Sequence, residues 1–191
     1  NLSIGTPDFL PEPHIVEAMA KCASDPKNYR YSLGEAPELT EAVRSWYDWR
    51  YDVALEADEL MAVYGSQEGL AHIGWALCDP GDVVLVPDPG YPIFELGPYL
   101  CGARCVHYPL MEGNGYLPDL EHFDGELAEK ARFMVVSYPA NPLGVTAGDE
   151  FYTRLIAFAR KKNIIIVHDN AYSDIIFDGR AGKSFLAFEG A

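Results

Sequence analysis

The sequence predicts an α/β fold, a mostly parallel sheet flanked by helices. Short runs of apolar, largely β-branched residues (Val83–Val86, Phe133–Ser137, Ile164–Val167) read as strands buried on both faces. Between them lie segments with helical spacing of apolar residues, and this alternation is the sequence form of βαβ units. Each strand candidate is followed within two residues by Gly, Pro, Asn or Asp, the residues that turn a chain. With 191 residues, 49% of them hydrophobic and 23% charged, the chain can hold one sizeable core.

In order, Asn1–Gly5 is an extended piece leading to a Gly-Thr-Pro-Asp turn. Pro13 opens a helix with Ile15, Val16, Met19 and Ala20 on one face. A polar and aromatic loop from Ser24 to Gly34 carries Tyr29 and Tyr31. A second helix covers 37–51, with Leu39, Val43, Trp46 and Tyr47 as its apolar stripe. Met61–Tyr64 reads as a short strand and Gln67–Cys78 as a helix. After a turn at Asp79–Asp82 come the strand Val83–Val86, a helix over 91–101 and a strand over 104–108. Met111–Tyr116 is a Gly-rich loop, and Pro118–Lys130 carries a weak helical pattern. The strand ending at Ser137, a helix over 149–162 and the strand Ile164–Val167 complete the pattern, without an internal repeat.

Fourteen basic residues face 29 acidic ones, a net charge of −15 that disfavours nucleic acid and anionic membranes as partners. No apolar run is long enough to cross a bilayer and no signal peptide is evident, so a cytoplasmic protein is expected. Cys22, Cys78, Cys101 and Cys105 form no CxxC pair and lack the histidines of a zinc pattern. They are expected to be reduced core residues, with no metal bound. The first residue is not Met and the opening reads as mid-protein sequence, so a chain cut at its beginning is expected.

Chemistry concentrates in the loops that follow the strands, where open α/β sheets meet their ligands. Tyr64-Gly65-Ser66-Gln67-Glu68-Gly69 joins a strand to a helix, and free N–H groups at a helix start suit a phosphate. Ser66 could equally be an ordinary N-cap. Asp88-Pro89-Gly90-Tyr91-Pro92 is a stiff loop that would hold Tyr91 for stacking on a flat ring. Tyr138-Pro139-Ala140-Asn141-Pro142-Leu143-Gly144 places an amide before proline. Asp169 and Tyr172 end the last strand with an acid and a phenol; read alone, Asp169 would only cap the next segment. At one edge of a sheet these loops describe a pocket for a flat, phosphorylated, ionisable heterocycle.

In this order and at these intervals, the chain resembles the class I/II aminotransferases, the fold type I enzymes that use pyridoxal 5′-phosphate. The matching stretches are Ile4–Phe9, Leu33–Leu39, Gly65-Ser66-Gln67, Pro89-Gly90-Tyr91-Pro92, Asn141-Pro142-Leu143-Gly144 and Asp169-Asn170-Ala171-Tyr172. Gly65–His72 is most similar to the LL-diaminopimelate aminotransferase branch and its aspartate- and alanine-using relatives. Leu143 stands where the family usually has Thr, and Asn170 where Glu is common. The resemblance implies that Asp169 pairs with the ring nitrogen of the cofactor and that Tyr172 and Asn141 reach its ring hydroxyl. It implies that Tyr91 stacks on the ring, Gly65, Ser66 and Gln67 hold the phosphate, and Gly5 and Asn141 meet the substrate. Tyr29, with Tyr31 next in line, would reach the phosphate of a neighbouring subunit in a homodimer or higher homo-oligomer. Residues 1–12 would belong to the small domain and 13–191 to the N-terminal part of the large, cofactor-binding domain.

The family's Schiff-base lysine falls after Gly190, beyond the last residue, Ala191, and Lys183 comes too early to replace it. The expectation is therefore a fragment that cannot complete transamination alone, acting in the whole enzyme on an L-amino acid and a 2-oxo acid. Competing readings are a carbon–sulfur lyase of the same fold and the aminotransferase-like effector domain of a transcriptional regulator. A generic dinucleotide binder fits less well, because no GxGxxG follows the first strand.

Overall fold

The computed structural model describes residues 4–123 and 130–191. The chain divides into two units, Asn1–Pro37 and Glu38–Ala191. In the first, α1 (Pro13–Ser24) begins at the expected proline, and Asp25 caps a short 3-10 turn by accepting the Lys27 N–H at 3.0 Å. The apolar face of α1 is uncovered, with Ile15, Val16 and Met19 all exposed.

The second unit is built on a parallel four-stranded sheet of order β2-β1-β3-β4, from β1 (Val83–Asp88), β2 (Arg104–Pro109), β3 (Ala131–Ser137) and β4 (Ile165–Asp169). Around it lie α2 (Pro37–Tyr51), α3 (Ser66–Leu77), α4 (Ile93–Leu100) and α5 (Asp149–Lys162). Side chains alternate across the central strands as a pleat requires. Val83, Leu85, Met134 and Val136 pack with Phe151, Leu155 and Phe158 of α5. Val84, Val86, Phe133 and Val135 face the other way, towards Phe94 of α4 and Leu70 and Ile73 of α3. Both faces of β1 and β3 are therefore buried, as their unbroken apolar runs predict.

Some expectations are corrected. Met61–Tyr64 pairs with no strand among the described residues, and Met61 and Tyr64 are exposed. An extended apolar stretch becomes a strand only when another chain segment supplies a ladder. Residues 118–123 are not helical; 124–129, where the rest of the weak helical pattern falls, lie outside the described residues. Among the described residues β4 pairs with β3 alone, and Ile165 is 51% exposed rather than buried. The cysteines are unpaired, but only Cys101 is buried and Cys22 is exposed on α1. Among the described residues no helix is long and apolar enough to cross a membrane, and no group of metal-ligating side chains occurs.

Behind β4, His168 sits against Tyr152 of α5, ring centroids 5.5 Å apart, with Nε2 3.3 Å from the Tyr152 hydroxyl. Burial pushes the imidazole down from 6.5 to about 4. Folded protein therefore binds fewer protons than unfolded chain between those values, and stability falls as pH drops from about 6.5 towards 4. Melting temperatures across this window should decline steeply, and His168→Leu should flatten the decline. A decline of equal size in the variant would assign the pH dependence to other groups.

Candidate active site

The strand order creates a switch point. From β1 the chain crosses through α4 to β2 on one side, and from β3 through α5 to β4 on the other. The loops leaving β1 and β3 therefore diverge, opening a crevice at their carboxyl ends. Those loops carry Tyr91 and Asn141. Asp169 belongs to the same edge, because β3 and β4 run in register with Ser137 beside Asp169.

Direct contacts tie these elements in pairs. Gln67, in the first turn of α3, donates from Nε2 to the Tyr91 hydroxyl at 2.8 Å, joining the helix start to the loop after β1. The Tyr91 ring packs edge-on against buried Phe94 at 6.0 Å and is 36% exposed, so one side of it is fixed and the other is available. The Ser137 hydroxyl donates to Asp169 Oδ2 at 3.2 Å. Asn141 and Tyr172 line one cleft of about 800 Å³, together with Pro139, Thr146 and Ile175. The Asn141 turn is closed by Ala140 N–H to Val145 O at 2.9 Å and Gly144 N–H to Ala140 O at 2.7 Å.

α3 starts one residue earlier than expected. Gly65 is its cap, at φ +86°, and Ser66 is its first helical residue, so the serine hydroxyl is not spent as an N-cap. Ser66 and Gln67 are exposed, and no atom lies within 4 Å of where a Gly65 side chain would start. The result is an open helix start with unspent N–H groups, suited to an anion. Glu68, in the same turn, is held away by accepting the Tyr64 N–H at 2.6 Å.

Asp169 is the electrostatic centre of this edge. Burial raises its carboxyl above the usual range, while the Ser137 hydroxyl and the Ala171 N–H pull it back. The local Ala171 bond matches the capping role the sequence allowed, but it leaves carboxylate acceptor capacity unused. No cation pairs with Asp169 among the described residues. The Ser66 hydroxyl, the Asn141 amide and the Tyr172 phenol make no hydrogen bonds there either. A half-buried acid without a counter-charge among the described residues, unspent donors and an open helix start are the donor set that a phosphorylated, protonated heterocycle requires, so the residues present fit pyridoxal phosphate.

The remaining candidates lie in the other unit. Tyr29 is exposed and donates to Ala23 O at 2.6 Å; Tyr31 is 92% exposed and makes no hydrogen bond among the described residues; Gly5 has open space around it. Lys183 is half exposed and paired with Asp149 at 2.5 Å, a surface lysine as expected. Ser137 was not anticipated as a site residue. Its signal was its place, closing a buried strand just before a candidate loop, as Asp169 closes another.

The family described as aminotransferase class I and II matches residues 1–188. An LL-diaminopimelate aminotransferase of Desulforudis audaxviator is 45% identical over all of this chain and 49% of its own length. The structure of substrate-bound BacF from Bacillus subtilis superposes with a TM-score of 0.93 at 38% identity, covering 97% of this chain and 48% of that one. An aminotransferase from Staphylococcus aureus gives 0.91 at 32% identity, covering 97% and 50%. The chain spans about half the length of these relatives.

Proposed function

The chain belongs to the aminotransferase class I and II family, and from that premise we propose that the crevice holds pyridoxal phosphate and serves amino-group transfer between an L-amino acid and a 2-oxo acid. Asp169 carries this reading: a half-buried carboxylate at a strand end, oriented by Ser137 and without a paired cation among the described residues, is a partner for a protonated ring nitrogen. When bound, the cofactor supplies an electron sink for negative charge developing at the substrate α-carbon. The chain's own residues hold it in place. Asp169 keeps the ring nitrogen protonated, Tyr172 and Asn141 donate to the ring hydroxyl, and Tyr91 covers one ring face. The Ser66 and Gln67 N–H groups, with the Ser66 hydroxyl, take the phosphate beside Gly65.

Gly5 and Asn141 are the proposed contacts to the substrate. In an assembly of two or more copies, Tyr29 or Tyr31 of one copy would reach the phosphate bound by another, and their exposure is compatible with that use. Residues 1–12 are assigned to the small domain and the rest to the large one. Relatives named LL-diaminopimelate aminotransferase make that amino acid the first donor to test. Lys183 is proposed not to be the Schiff-base lysine, since it is half exposed and paired with Asp149.

Titrating the chain with pyridoxal phosphate should give a saturable change in the visible spectrum. Gln67→Ala should weaken it by about threefold to tenfold, because the side-chain grip on Tyr91 is lost while the backbone N–H that faces the phosphate is kept. Borohydride should leave no cofactor attached to Lys183. An unsaturable spectrum would sink the cofactor reading, and attachment at Lys183 would sink the assignment of that residue.

A further inference from the structure

We propose that Arg50 and Tyr51, at the C-terminal end of α2, are positioning residues that set where Tyr172 stands in the cleft; the proposal rests on the cofactor reading above. Tyr172 makes no side-chain hydrogen bond among the described residues, and its ring is 38% exposed. Its place is therefore fixed by the backbone on either side. On one side that backbone is β4 itself, ending at Asp169. On the other it is Ser173–Asp174, and α2 holds both residues from more than a hundred positions away.

The Tyr51 hydroxyl lies 3.0 Å from Ser173 Oγ, and both residues are buried. Arg50 pairs through Nη2 with Asp174 Oδ1 at 2.8 Å and donates from Nη1 to Gly182 O at 3.1 Å. Its guanidinium also lies over the Tyr51 ring, 4.9 Å from the centroid. That ring is set in turn by edge contacts with Trp46 and Tyr47 at 5.3 and 5.2 Å. From the far side Gly182 closes on Ser173 so tightly that a Cβ on it would meet the Ser173 carbonyl oxygen at 2.0 Å.

Ser173–Asp174 is thus gripped by a hydroxyl pair, an ion pair and a backbone contact, one residue beyond the phenol that meets the cofactor. Such a support shell converts a loop position into a fixed one, and shifts of well under an ångström at its base move the functional group. Neither α2 residue touches the cofactor; both act through the backbone of Tyr172.

The test uses the whole chain loaded with pyridoxal phosphate and reads the pH midpoint of the bound cofactor's visible absorption, which responds to the donor at the ring hydroxyl. Tyr172→Phe defines the full effect. Tyr51→Phe and Arg50→Lys should each move the midpoint in the same direction, by about half a pH unit. Tyr108→Phe is the control: it removes another buried hydroxyl bond, to Val135 O at 2.6 Å, and should lower the melting temperature without moving the midpoint. Should Tyr51→Phe fail to fold, Ser173→Ala replaces it. Unmoved midpoints in the α2 variants, or an equal shift in the Tyr108 control, overturn the proposal while leaving the cofactor reading intact. Absence of any cofactor spectrum from the unaltered chain overturns both.

Discussion

Asp169→Asn should weaken pyridoxal phosphate binding by about ten- to a hundredfold and remove most of its pH dependence below neutrality. The amide keeps the shape and can still accept the Ser137 hydroxyl, so folding should be spared. What it loses is charge. Burial raises the Asp169 carboxyl above 3.8, so in the free protein ionisation there is disfavoured. A ring cation facing the carboxylate reverses the sign, since the low-dielectric setting that penalises a lone charge strengthens a pair. Binding in the unaltered chain should therefore weaken as pH falls through the raised range of Asp169, because a protonated carboxyl no longer attracts the ring nitrogen. In the Asn variant the affinity should be low and nearly flat over that range. Absorption titrations at several pH values measure both, and an Asn variant with unchanged affinity and profile would remove Asp169 from the cofactor's ring nitrogen. Ser137→Ala should give a milder version, since it frees the carboxylate without discharging it.

The central strands were legible because burial on both faces writes itself as an unbroken apolar run, and β1 and β3 are such strands. At β4 the same signal names a strand but not its neighbours, and among the described residues it pairs with β3 alone. Met61–Tyr64 misled for a related reason: extended propensity is local, whereas a ladder needs a partner from elsewhere. Tyr91, Asn141 and Asp169 could be picked out as loop or strand-end residues from one sequence, because each follows an apolar run. That they lie at one edge of a sheet was also expected; the switch point between the loops after β1 and β3 was not, since it depends on those two strands being neighbours. Ser137 was silent because a serine closing a strand looks like turn chemistry until the parallel register sets it beside Asp169. Arg50 and Tyr51 were less visible still. On α2 they read as the polar and aromatic end of an amphipathic helix, and their partners lie more than a hundred residues on.

Gly97→Val should damage the fold severely, lowering stability by about 3 kcal/mol and the melting temperature by roughly 6–12 °C. α3 and α4 cross with their backbones nearly touching. A Cβ on Gly97 would lie 2.3 Å from Leu70 O and 3.1 Å from the Ala71 Cα, and one on Gly74 would meet Cys101 Sγ at 3.0 Å and the Pro98 Cα at 3.3 Å. These obstacles are mostly main chain, so no rotamer change relieves them and the helices must separate. Separation opens the layer where Phe94, Leu70 and Ile73 cover one face of the sheet. It also moves the start of α3, because Leu70 lies about one turn from Ser66 and Gln67. The Gln67–Tyr91 bond ties that start to the loop leading into α4, so cofactor affinity should fall along with stability. Gly113→Ala, where nothing lies within 4 Å, should change neither by more than about 0.5 kcal/mol. Thermal melts and cofactor titrations on the three proteins decide the matter. A Gly97→Val protein that melts within about two degrees of the unaltered chain would show that the crossing has slack to absorb a side chain, and that α3 does not depend on it for the position of its first turn.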